Sequence, residues 1–217
     1  MLQWLDLLRS MWQEAQWLKN KSVPTVDEYM TNGYVSFALG PIILPALYFV
    51  GPFLSEVVVK SPEYNLLFKL VSTCGRLLND IQTFKVQLLL GKKQDQQLLV
   101  SSEIAVLNYL QMSDVLQRES EERKLNAVSL HIIHGTSAVT EDVNQEMKGL
   151  IHDRRRELLR LVLQENGSIV PRACKELFWK MSKVLHLFYM KDDGFTSHEM
   201  INVVNAAIHD PICLDEH

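Results

Sequence analysis

The chain has little of what would mark it as secreted, fibrous or disordered. Its three cysteines, Cys74, Cys174 and Cys213, are too few and too scattered for a disulfide framework or a zinc knuckle, and read as reduced core thiols. Nine glycines and seven prolines in 217 residues leave no room for a turn-rich or low-complexity chain, and a 47% hydrophobic fraction suits a packed core. A net charge of −4 lacks the basic excess that neutralising phosphates requires, which argues against a nucleic-acid partner. Long apolar runs are missing too. The most apolar stretch, Tyr34 to Val59, is broken by Gly40, Pro41, Pro45, Gly51 and Pro52, so no membrane association is expected. The N-terminus has no basic start ahead of an unbroken apolar run, hence no targeting segment is read there.

What is present is helix. Leu5, Leu8, Trp12, Ala15 and Leu18 recur at three- and four-residue spacing, predicting a helix over Leu2 to Lys19. Thr25 with Glu28 three places on is a capping box, opening a helix that runs towards Leu39 and is interrupted at Gly40-Pro41. A short Pro-broken apolar turn, Ile42 to Val50, follows. Ser61-Pro62 opens a long helix through Leu66, Leu67, Leu70 and Leu77. Further helices are predicted over Glu141 to Glu165, Pro171 to Tyr189 and Ser197 to His209, with loops at His134–Ser137, Glu165–Val170 and Lys191–Thr196. No strand-like alternation of useful length occurs. The fold class is all-α, a bundle around an apolar centre, in which Trp4, Trp12, Trp17 and Trp179 are expected in the core.

One segment departs from its surroundings. Val86 to Gln117, 32 residues, holds six of the twelve Gln and no Pro, Phe, Trp or Arg, a composition break that suggests an insertion.

The sharpest constellation is Arg76-Leu-Leu-Asn79-Asp80-Ile-Gln-Thr83. At about 100° per residue, Arg76, Asn79, Thr83 and position 87 share one stripe roughly 80° wide. Amide, hydroxyl and carboxylate oxygens one turn apart suit Mg²⁺, which keeps several waters and shares substrate phosphates. Arg76 on that stripe can grip a diphosphate bidentately. The residue types alone also fit a solvated helix face. Arg154-Arg155-Arg156 with Arg160 reads as such a face, and His131 with His134 lacks the further ligands of a zinc set. Phe37, Tyr48 and Phe188 are aromatic enough to line a cavity or to fill core.

The stretch from Arg76 to Thr83 resembles the second metal-binding motif of class I terpene synthases, Asn/Asp-Asp-hydrophobic-x-Ser/Thr-x-x-x-Glu, entered from an Arg three residues earlier. Ser36–Pro52, Ser72–Phe84, Glu119–Gly135, Cys174–Ser197 and the final helix are similar to plant ent-kaurene-synthase-like diterpene synthases, so the resemblance covers all but Val86–Gln117. It implies the C-terminal part of the catalytic α bundle, with the N-terminal half, the upstream domains and the transit peptide of a plastid enzyme lying outside this chain. It also implies Mg²⁺ as cofactor and a prenyl diphosphate, such as ent-copalyl diphosphate, as substrate.

By that resemblance Asn79 and Thr83 are metal ligands, while the third position carries Gln87 where a Glu is expected. The expected continuation stands at Arg118–Lys124, so deleting Val86–Gln117 would restore Glu119 to the ligand register. A translated retained intron of 96 bases, opening on a GT Val codon and closing on a CAG Gln codon, would account for this. Were the helix simply to continue, Glu119 would lie about 54 Å past Thr83. The Asp-rich motif of the facing helix does not occur; Lys191-Asp192-Asp193-Gly194 has the wrong spacing. Tyr189 and Asp193 match the family's closing loop, making them lid candidates. Ile42, which follows Gly-Pro, is implied to control the product, its apolar side chain favouring a rearranged kaurane-type skeleton. Catalytic inactivity of a truncated or mis-spliced chain is the alternative to a working synthase.

Overall fold

The computed structural model describes residues 2–50, 54–94, 125–135 and 140–190. The predicted helix at Ser197–His209, the loop at Lys191–Thr196 with Asp193, and Glu119 lie outside them.

Eight helices form among the described residues. They are α1 (Leu2–Asn20), α2 (Val26–Ser36), α3 (Gly40–Val50), α4 (Glu56–Val59), α5 (Pro62–Gln94), α6 (Ala127–Ile133), α7 (Thr140–Leu163) and α8 (Arg172–Met190). The capping box forms as predicted: Glu28 N–H donates to Thr25 Oγ1 at 3.2 Å, and Thr25 N–H to Glu28 Oε2 at 2.8 Å. Ser61 caps α5, its Oγ accepting from Tyr64 N–H at 3.1 Å, with Pro62 at the first helical position, where its missing donor costs nothing. Two short helices, α4 and α6, have too few residues to show a period and were not read from the sequence.

The break between α2 and α3 falls earlier than Gly40-Pro41. It centres on Ala38, whose φ of +65° puts an alanine in the left-handed region, and the helices meet there at 41°. Pro41 instead lies in the first turn of α3. The turn holds because the Phe37 ring fills the space beside Gly75, where a Cβ would stand 2.2 Å from Phe37 Cε1. No single described helix is long and apolar enough to cross a membrane.

Helix α5 is the axis, packing against α2, α4, α6, α7 and α8. Its Leu67, Leu70, Val71, Cys74, Leu77, Leu78 and Ile81 are all buried, each aliphatic side chain contributing about 1.5–3 kcal/mol. They meet Val143, Met147, Ile151 and Leu158 of α7 and Phe178 of α8 in one core, where the Phe178 ring stands edge-on to Tyr64 at 5.5 Å. Trp17 and Trp179 pack against this core. Trp4 and Trp12 do not: they are 59% and 68% exposed. Periodicity identifies the apolar face of α1, but not whether anything described covers it.

Candidate metal and diphosphate site

A buried polar junction organises the predicted stripe. The Asp80 carboxylate is almost wholly enclosed; it is ion-paired to Arg76 Nε at 3.2 Å and accepts from the Tyr29 hydroxyl at 3.0 and 3.2 Å and from Ala127 N–H at 3.0 Å. Arg76 Nε donates to Tyr29 Oη at 2.8 Å, joined by its Nη2, and the guanidinium lies 5.0 Å over the Tyr29 ring. Asn126 Nδ2 donates to the Asp80 carbonyl at 2.8 Å, while its Oδ1 caps α6 through Val128 N–H. Leu125 O accepts from the Tyr29 hydroxyl at 3.2 Å. One phenol thus ties α2 to α5 and to the segment entering α6.

The electrostatics follow from burial. Enclosure pushes the Asp80 carboxyl up, against the pull of Arg76 and its hydrogen bonds. It raises the Tyr29 phenol well above its ordinary value, Asp80 adding to the rise. Burial works against the Arg76 charge, but Asp80, Tyr29 and Glu14 outweigh it and hold the guanidinium protonated.

On the other side of this junction lies a cavity of about 350 Å³. Arg76, Asn79, Asp80 and Thr83 line it from α5, Glu14 with Met11, Ala15 and Leu18 from α1, and Leu125 with Asn126 from the far side. The structure therefore brings Arg76, Asn79 and Thr83 together on one wall, as their spacing predicts. Thr83 Oγ1 donates to Asn79 O at 2.9 Å, which leaves the hydroxyl oxygen's lone pairs for an acceptor role. Hard oxygen donors on a wall with room for several waters fit a Mg²⁺-sized cation. Asp80 is not among the available donors, since every one of its contacts is already committed.

Of the remaining predicted residues, Tyr189 and Ile42 lie away from this cavity. Gln87 is carried on α5, which passes through Val86 and continues to Gln94; by Leu125 the chain is back beside Asp80. Tyr189 sits in the last turn of α8, its carbonyl accepting from Gln82 Nε2, and does not line this cavity. Ile42 is 56% exposed in the first turn of α3, also away from it. The neighbouring Gly40 and Pro41 line a second cavity of about 710 Å³ with Tyr34, Tyr64, Phe68 and Lys69. His134 Nε2 lies 3.0 Å from Pro24 O. Arg154 pairs with Glu157 and Arg156 with Asp153 on an exposed face, while Arg155 turns inward, over the Trp179 ring and onto Ser182 Oγ.

The described residues form a helical bundle whose central helix, α5, carries this polar stripe. Residues 2–95 match the terpene synthase family, metal binding domain. Over most of its length the chain is similar to ent-kaurene-synthase-like proteins. It is 55% identical over 210 residues to an ent-kaurene synthase-like protein of Ricinus communis, covering 96% of this chain and 24% of that one. It is 51% identical over 212 residues to a chloroplastic ent-kaurene synthase of Vitex agnus-castus, covering 97% and 23%. The chain spans about a quarter of the length of these relatives. In fold it is similar to abietadiene synthase from Abies grandis (TM-score 0.68, 24% identity, 97% of this chain and 24% of that one). It is similar too to isoprene synthase of grey poplar, solved with three Mg²⁺ ions and dimethylallyl-S-thiolodiphosphate (TM-score 0.69, 22% identity, 99% and 35%).

Proposed function

We propose that this chain carries one half of the Mg²⁺–diphosphate site of a class I diterpene synthase and does not by itself turn substrate over. The observation that carries the reading is the single cavity wall shared by Arg76, Asn79 and Thr83. Asn79 and Thr83 would hold a Mg²⁺; when bound, the ion supplies charge neutralisation to a departing diphosphate. Arg76, fixed by Tyr29 and Asp80, would face the diphosphate with what its junction leaves free. The substrate class is a prenyl diphosphate, ent-copalyl diphosphate or a close relative. The plastid is the compartment of the parent enzyme, by analogy with its chloroplastic relatives. Tyr189 and Asp193 are proposed as lid residues and Ile42 as product control.

Two observations favour the inactive reading for the isolated chain. Nothing in the sequence supplies an Asp-rich motif for a facing helix, and α1 presents Trp4, Leu8 and Trp12 outward, each more than half exposed. The partner required is the N-terminal part of a related catalytic domain. We read Val86–Gln117 as a segment foreign to the family; the family match ends inside it, at residue 95. Glu119, the displaced third ligand, precedes Leu125 by six residues, a tether of at most about 21 Å to the cavity wall.

The test incubates the purified chain, and a version lacking Val86–Gln117, with Mg²⁺ and ent-copalyl diphosphate, and extracts hydrocarbon. None is expected from the unmodified chain, and diterpene from it overturns the inactive reading. The gene decides the origin of the segment: without GT and AG at its two ends it is not a retained intron.

A further inference from the structure

The α5 stripe is short of negative charge. Mg²⁺ is held by one or two carboxylates with waters and phosphate oxygens completing its shell. Asn79 and Thr83 are neutral, and the Asp80 carboxylate is consumed by Arg76, Tyr29 and Ala127 N–H. Across the same cavity stands Glu14 of α1. Its Oε1 accepts from Ser36 Oγ and, at 3.4 Å, from Asn32 Nδ2, two α2 donors that fix the side chain through one oxygen. Among the described residues no Lys, Arg or His is ion-paired to it, and its charge is felt at Arg76, Asp80 and Tyr29. Among the described lining residues Arg76 and Asp80 are paired with one another, which leaves Glu14 as the second carboxyl group on this cavity. A cavity-lining carboxylate with one oxygen held by outer hydrogen bonds is how a metal ligand is oriented.

We infer that Glu14 is a ligand, contributed by α1, for the divalent cation held against Asn79 and Thr83. The inference rests on the metal reading above and adds a residue that lies outside the α5 motif altogether. It implies that this chain retains a three-oxygen cation site spanning α1 and α5.

Mn²⁺ stands in for Mg²⁺ in the test, its free-ion electron paramagnetic resonance signal being followed as the full chain is titrated. Glu14→Gln keeps the oxygen that Ser36 and Asn32 contact and removes only the charge; thermal unfolding confirms that it folds. The unmodified chain is expected to bind Mn²⁺, Glu14→Gln to bind it at least tenfold more weakly, and Glu14→Asp to recover part of the loss. If Glu14→Gln binds as tightly as the unmodified chain while Asn79→Ala does not, the α5 site stands and Glu14 is only a brace between α1 and α2. If the unmodified chain binds no Mn²⁺, this inference and the metal reading fall together.

Discussion

Tyr29 gives its hydroxyl to three acceptors with only one proton to share. Asp80 Oδ1, Asp80 Oδ2 and Leu125 O all lie within 3.2 Å of it, while Arg76 donates to the same oxygen. Tyr29→Phe keeps the ring beneath the guanidinium but strands a buried arginine edge and a carbonyl. A loss of about 1–3 kcal/mol is expected from urea unfolding; a change near zero would show that the hydroxyl does not organise the junction. Gly75→Ala acts by volume instead. Its new methyl would occupy the Phe37 ring position, so Phe37 has to leave its seat, costing about 1–3 kcal/mol and visible as a lowered Tm. Neither residue was legible beforehand. The Arg76–Thr83 stripe shows in the sequence because its members are three and four residues apart, whereas Tyr29 and Asp80 are separated by 51 residues, and Gly75 matters only because of a ring on another helix.

At the scale of elements, the helices that the sequence announces are those with caps and repeated apolar turns: α1, α2, α7 and α8 fall within a few residues of their predicted bounds, and α5 starts where predicted. The α2–α3 break was misplaced because Gly-Pro is the obvious punctuation, while an alanine at φ +65° is imposed by packing. The α7–α8 connection is held by a contact equally silent in the sequence. Glu63, in the first turn of α5, accepts from Ser168 Oγ and from Ile169 N–H and Val170 N–H at 2.9 and 3.2 Å. Partial burial raises its carboxyl, but these donors and Lys175 outweigh that and leave it below the usual glutamate range. A carboxyl lowered by folding contributes stability above its unfolded pKa of about 4.3, and that stability is lost as pH falls through the folded value. Glu63→Gln should therefore be less stable than the unmodified chain at pH 7, and its stability should fall less on acidification below about pH 4.5. Parallel acid limbs in urea titrations at pH 7 and pH 3.5 would show that the clasp does not titrate.

For the molecule as a whole, the candidate site depends on two crossings of the chain at one place. Helix α5 leaves through Gln94, and the segment at Leu125–Ala127 comes back onto Asp80. The tie between Asp80 and Asn126 joins positions 46 apart, and the 32 residues of Val86–Gln117 account for most of that span. In polymer terms the junction is a closed ring, and rings grow at small entropic expense, about 0.6 kcal/mol for each doubling of length. Removing Val86–Gln117 shortens the ring about threefold, so the shortened chain should gain only about 1 kcal/mol, read as a modest rise in Tm; a collapse of stability would mean that the segment is part of the core. The knot of Tyr29, Arg76 and Asp80 thus fixes both ends of the stretch between α5 and α6, so that a change of length there is felt first at the stitches of Asn126 and Ala127.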